Sequence, residues 1–167
     1  ITPGSITLLD FRKTLLNSSD ALRLVIIAFR SMASVAREVD KFALFDEFHE
    51  YYDASFSAEI DRCRRMVRHK RLTLCVATQN AERIDQKVIE SFQNKIIFKV
   101  ESATWRKLCD ADPALDAIKY EEVSALKSES GDCFIKFDDC ADEDYKNKPM
   151  RLSVRPRITK HGGQTEH

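Results

Sequence analysis

Glycine is what this sequence most obviously does without. Gly4, Gly131, Gly162 and Gly163 are the only four in 167 residues, so none lies between Ser5 and Ser130. Proline is absent between Pro3 and Pro113. Phosphate-binding glycine loops, dinucleotide fingerprints and Gly-x-Ser-x-Gly nucleophile elbows all need glycine at fixed offsets, so the body of the chain holds none of them. An excess of charge is missing too. The chain has 27 Lys+Arg against 27 Asp+Glu, which excludes both a basic coat for nucleic acid and an acidic disordered tail protein. Its cysteines, Cys63, Cys75, Cys109, Cys133 and Cys140, are odd in number and contain no Cys-x-x-Cys pair. Neither a disulfide framework nor a zinc ribbon is implied, and reduced thiols in a cytoplasmic compartment are the plain expectation. Apolar runs end near six residues, as in Leu24–Phe29, far short of the roughly 18 that a membrane span needs. No signal-peptide pattern opens the chain, and its start at Ile1 instead of Met suggests a piece of something longer.

What is present reads as a globular α/β chain, 43% hydrophobic and 32% charged. Ile6–Asp10 predicts a short strand ending on a carboxylate. Asn17–Asp20 offers N-cap residues, and Leu22, Val25, Ile26, Phe29, Met32, Ala33, Ala36 and Val39 then form one apolar helix face. Lys41–Asp46 predicts a second, buried strand, residues 57–70 a helix, and Leu72–Thr78 a third strand rich in β-branched residues. A helical stretch near 81–92 leads to a fourth strand at 95–100. Ser102 is positioned to cap a short helix, and Asp112-Pro113 to open another towards Lys127. Gly131-Asp132 turns into a last strand, Cys133–Phe137. Strands alternating with helices predict a mainly parallel sheet flanked by helices. Residues 138–150 read as an acidic linker and residues 151–167 as a basic, partly disordered tail.

Two strand tips carry the chemistry. Phe42-Ala-Leu-Phe-Asp46-Glu47 is an apolar strand that delivers paired carboxylates to its carboxyl end, where open α/β sheets bind ligands. Four apolar residues followed by Asp-Glu have the form of a Walker B strand, in which one carboxylate holds Mg²⁺ and the next orients or deprotonates water. A strand end with two solvated acids is the plainer alternative. About thirty residues on, Ala77-Thr78-Gln79 ends the next strand with an amide able to contact a γ-phosphate; by itself Gln79 reads equally as a turn residue.

These motifs, with Gly4-Ser-Ile-Thr-Leu-Leu-Asp10, Phe42–His49, Arg68–Gln79, Lys95–Val100 and Gly131-Asp-Cys-Phe134 in that order, resemble the carboxyl-terminal half of HerA–FtsK ATPases, ring-forming DNA-pumping motors. The resemblance covers roughly residues 4–137. It implies a RecA-like P-loop fold (of the ASCE class), incomplete at its amino-terminal side, in a homo-hexamer that hydrolyses ATP with Mg²⁺ and moves DNA without sequence preference. It makes Asp46 the magnesium-associated carboxylate, Glu47 the catalytic base, Gln79 the sensor and Arg68 a finger acting on the neighbouring subunit's nucleotide. The family usually has a small residue where Arg71 stands, and commonly Arg-Pro where this chain has Asn80-Ala81. The Walker A loop is absent, so this chain alone is expected to be inactive and to need a missing amino-terminal half of the same ATPase. The strand carrying that loop would lie between the sensor strand and the strand at 95–100.

The run Arg62–Arg71 holds six Lys/Arg and no acid, which suits a DNA-phosphate or subunit-interface surface as well as a solvated helix face. Arg151, Arg155 and Arg157 suit a subunit contact or plain solvation. His49-Glu50 lacks the second histidine at i+4 that zincin chemistry requires, and His49 is expected to pack at the start of its segment. Asp46-Glu-Phe-His49 also fits the box of Asp-Glu-x-His helicases, with Ala77-Thr78 loosely resembling the Ser-Ala-Thr motif that follows it. A third reading is a non-catalytic DNA-docking or assembly subdomain.

Overall fold

The structure, a computed structural model, describes residues 4–10, 18–34, 38–50, 52–53, 57–58, 71–127, 131–138 and 140–154. Of the helix expected over 57–70 only residues 57–58 are described, and they are helical; the rest of it, the basic run up to Lys70, Arg68 and the tail arginines Arg155 and Arg157 lie outside the described residues. The chain is α/β and divides into two compact units, Ile1–Ser91 and Phe92–His167. That division falls inside the stretch read from sequence as one ATPase half. No helix among the described residues is long and apolar enough to cross a membrane.

In the first unit, helix α1 (Ser18–Ser34) buries Leu22, Val25 and Phe29 of the apolar face read from the three- and four-residue spacing, together with Ala21, while Val39 of that face lies past the helix end. Strands β1 (Lys41–Phe45) and β2 (Leu72–Val76) pair in parallel, with Lys41 opposite Leu72 and Phe45 opposite Val76. Phe29 and Leu72 form a core joined by Met32, Ala43, Phe45 and Leu74. Because side chains alternate across a strand, Phe42 and Leu44 point away from that core and are 64% and 58% exposed. The expectation of a buried strand is therefore corrected: α1 covers one face of the pair, and Phe42 and Leu44 on the other are exposed. Residues 5–10 form no strand either. Ile6 is 98% and Leu8 84% exposed, and the segment belongs to neither sheet, so it lacks the ladder that would hold it extended.

The strands begin at a shared staple. The Lys41 N–H donates to the Arg71 carbonyl at 2.8 Å. The Arg71 guanidinium makes a bidentate pair with Asp40, at 2.7 and 2.8 Å, and donates to the Glu38 carbonyl at 2.9 Å. Arg71 has φ +50°, a left-handed conformation unfavourable to most side chains, which gives a physical reason for a small residue at this turn. Beyond β2, a 3₁₀ turn (Ala81–Arg83) and helix α2 (Gln86–Ser91) replace the single helical stretch expected there, burying Ala81, Ile84, Val88 and Ile89.

The second unit holds β3 (Lys95–Ile97), α3 (Ser102–Ala111), a 3₁₀ turn (Pro113–Ala117), α4 (Tyr120–Ser124), β4 (Asp132–Lys136) and β5 (Met150–Ser153). Its sheet has the order β3-β4-β5, and both pairings are antiparallel, not parallel as the alternation of elements suggested. A parallel return needs a crossover that brings the chain back to the starting end of the sheet. Here the short helical pieces between β3 and β4 pack on one another, and the chain re-enters from the end at which β3 left. Ile97, Trp105, Leu115, Ile118, Val123, Leu126 and Phe134 form the core. Pro113 does open a helical turn, but the chain becomes extended at Ile118, so no single helix runs to Lys127. The Glu122 carboxylate accepts the Lys119 N–H at 3.2 Å to start α4. The first residues of the basic tail form β5, the edge strand.

Asp112 does not cap that turn with its side chain. Its Oδ2 instead accepts from the ammoniums of Lys95 and Lys136, each at 2.8 Å, and all three groups are buried. Lys136 also pairs with Asp138. Burial works to raise the Asp112 carboxyl, but hydrogen bonds from Lys136 and Lys95 outweigh it and hold the group below its ordinary value. Burial likewise opposes the Lys136 charge, and hydrogen bonds to Asp112 and Asp138 more than compensate, so its pKa is raised.

Candidate functional site

The β1–β2 register decides what meets at the carboxyl ends. With Phe45 opposite Val76, the next residues of each strand, Asp46-Glu47 and Ala77-Thr78-Gln79, leave the sheet side by side. Two backbone bonds extend the ladder past its last pair: the Ala77 N–H donates to the Phe45 carbonyl at 2.8 Å, and the Phe48 N–H to the Ala77 carbonyl at 2.9 Å. Phe48 is completely buried beneath the tips, its ring 6.3 Å from that of Phe45 and 5.7 Å from that of Tyr52. That anchor fixes the 3₁₀ turn Phe48–Glu50 and so the carboxylates before it.

Glu47 has φ +49°, a left-handed conformation that costs a residue with a Cβ about 1 kcal/mol or more. The exposed Asp46 carboxylate accepts the Glu47 N–H at 3.0 Å, and with the Phe48 anchor it offsets this cost. Residues held in such conformations cluster at functional sites. The Glu47 Oε1 accepts from the Gln79 Nε2 at 2.5 Å. Its Oε2 is buried and has no hydrogen-bond partner, an orphaned polar atom of a kind rare in folded proteins.

His49 lies beside that atom. Its side chain is 11% exposed, with Nδ1 3.5 Å from the Glu47 Oε2 and Nε2 3.1 Å from the Glu50 Oε1. Nδ1 is also 2.9 Å from the Thr78 Oγ1, which accepts the Asn80 N–H at 3.1 Å. Arg83 reaches the same Glu50 oxygen from outside, at 3.6 Å.

Three of the four side chains singled out in the sequence, Asp46, Glu47 and Gln79, thus form one cluster at the strand tips; Arg68 lies outside the described residues. Sequence reasoning missed that His49 and Thr78 belong to the same cluster. The available signal was the position of both residues within the strand-tip motifs, but their contact spans 29 residues of chain. Among the described residues, no three His, Cys, Asp or Glu side chains gather in a way that could hold a metal ion. A cation at Asp46 would therefore take most of its shell from water or a ligand. No family model matches the chain, and no curated protein matches it.

Proposed function

We propose that the β1–β2 tips are the water- and magnesium-handling half of an ATP hydrolase of RecA-like fold, which drives DNA translocation in a HerA–FtsK-like hexamer. The hydrogen bond between Gln79 and Glu47 carries the reading, because it joins the proposed sensor to the proposed base. The adjacent parallel tips, the left-handed Glu47 and its orphaned oxygen support it. The residues fit the implied ligands: Asp46 presents an exposed carboxylate of the kind that Mg²⁺ shares with phosphates and water. When bound, Mg²⁺ and ATP supply the electrophile and neutralise its developing charge. Asp46 would hold the cation, Glu47 would take a proton from water at Oε1, and Gln79 would orient the reacting groups. Arg68 is proposed as the finger acting in trans. The glycine-poor body has no phosphate cradle, so that part is assigned to an amino-terminal half outside these 167 residues.

Magnesium-dependent ATP hydrolysis by the full-length protein, with and without DNA, tests this. Wild-type hydrolysis should rise with DNA, and Glu47→Gln should reduce it by about 10²–10⁴-fold, the range for loss of a general base. Hydrolysis unaffected by that change removes Glu47 from the mechanism. A folded full-length protein that hydrolyses nothing favours the docking or assembly reading. One observation favours a second enzyme class: the hydrogen bond of His49 to Thr78 joins the two segments that resemble the boxes of an Asp-Glu-x-His helicase. Strand separation without translocation along duplex DNA would select that class.

A further inference from the structure

We infer that His49 is a positioning residue for Glu47, locked by Thr78 and Glu50 so that only one carboxylate oxygen of Glu47 faces the reaction; this rests on the hydrolase reading. The hydrogens on the ring follow from its neighbours. Glu50 offers the His49 Nε2 a carboxylate oxygen at 3.1 Å, and an ionised carboxylate only accepts, so Nε2 carries the hydrogen. When the ring carries this single hydrogen, Nδ1 is an acceptor and the Thr78 hydroxyl at 2.9 Å is placed to donate to it. Thr78 can donate there while its oxygen still accepts the Asn80 N–H at 3.1 Å. These bonds fix the orientation of the ring and, in its singly protonated form, favour the Nε2–H tautomer.

Glu47 Oε2 faces the same Nδ1 at 3.5 Å and forms no hydrogen bond with it. The ring therefore acts on Glu47 by occupying space, not by hydrogen bonding. It closes off Oε2, leaving Oε1 as the oxygen that can meet a substrate water. In this structure the Gln79 amide holds Oε1. The carboxylate is thus held by Gln79 at Oε1 and walled at Oε2, and the second lone pair of Oε1 remains to accept a proton from water. A mobile His49 ring would open the walled side and let the carboxylate rotate out of register.

The test has two arms. In the 167-residue chain labelled with ¹⁵N-histidine, the resonance lost in His49→Asn identifies the ring, which should show the Nε2–H tautomer alone. Thr78→Val keeps the shape but removes the donor and should give a mixture of tautomers; Thr78→Ser should restore the single form. In the full-length protein, Thr78→Val should lower kcat for ATP by roughly tenfold or more, the scale for removal of an outer partner of a functional side chain. KM should hold steady and Thr78→Ser should recover the rate. A mixed tautomer in the wild type overturns the ring assignment. Values of kcat within about twofold of wild type in both Thr78→Val and His49→Asn overturn the positioning role and leave the hydrolase reading standing. A wild type that does not hydrolyse ATP overturns that reading and the inference with it.

Discussion

Single residues decide stability most sharply where charge is buried. Asp112 is the shared acceptor of two buried ammoniums, so Asp112→Ala would leave Lys95 with no carboxylate and Lys136 with Asp138 alone. Breaking a buried ion pair costs about 3–5 kcal/mol, and denaturant unfolding should register a loss of that order. The pH dependence follows from the directions of the shifts. The lowered Asp112 group contributes fully above the ordinary carboxylate value of about 4, and its contribution is lost as pH falls through the depressed one. The raised Lys136 group contributes fully below about 10.4, and its contribution fades as pH rises through the elevated one. Thermal midpoints should therefore form a plateau between these limits, and Asp112→Asn should flatten the acid side. Burial first, then a hydrogen bond to Asp116, pushes the Cys109 thiol up to about 11. At neutral pH it should alkylate far more slowly in the folded chain than after unfolding. None of this cluster was legible beforehand: Lys95, Asp112 and Lys136 are separated in sequence, and Asp112 before Pro113 looked like an ordinary helix cap. Asp46, Glu47 and Gln79 were legible because each stands where an apolar strand ends.

At the level of elements, alternation across a strand explains both the correct expectations and the missed ones. β1 and β2 were recognisable as apolar runs with polar tips, but an apolar run does not reveal how many of its faces will be covered. Phe42 and Leu44 are open because α1 packs on one side only. β5 was passed over as a basic tail, although Met150, Leu152 and Val154 alternate with Arg151, Ser153 and Arg155, the period of an edge strand. Its pairing depends on Gly131, whose φ is +68° and where a Cβ would stand 3.1 Å from the Val154 Cβ. Gly131→Ala combines backbone strain with this close approach and should cost about 1 kcal/mol or more in unfolding experiments. Register matters equally at the site. One alanine inserted between Ala43 and Leu44 would advance the β1 tip by about 3.3 Å and exchange the two faces of the strand beyond it. The Gln79–Glu47 bond should be lost while α1 persists, which side-chain amide NMR would reveal.

For the whole molecule, the decisive feature is that each unit has its own core. The site lies in the first unit, where a sheet of two strands among the described residues leaves Phe42 and Leu44 in solvent. The second unit closes its helices over Trp105, Leu115 and Val123. Residues 92–167 expressed alone should therefore fold and give dispersed amide resonances, and heating the intact chain should melt the first unit earlier. This arrangement has a practical consequence for ligand discovery. A compound that binds the strand tips stabilises directly the unit that holds them, by RT ln(1 + [L]/Kd). The later transition then serves as a thermometer built into the same polypeptide: additives that act on solvent or on the chain at large shift both transitions alike, whereas a true occupant of the site shifts the first more than the second.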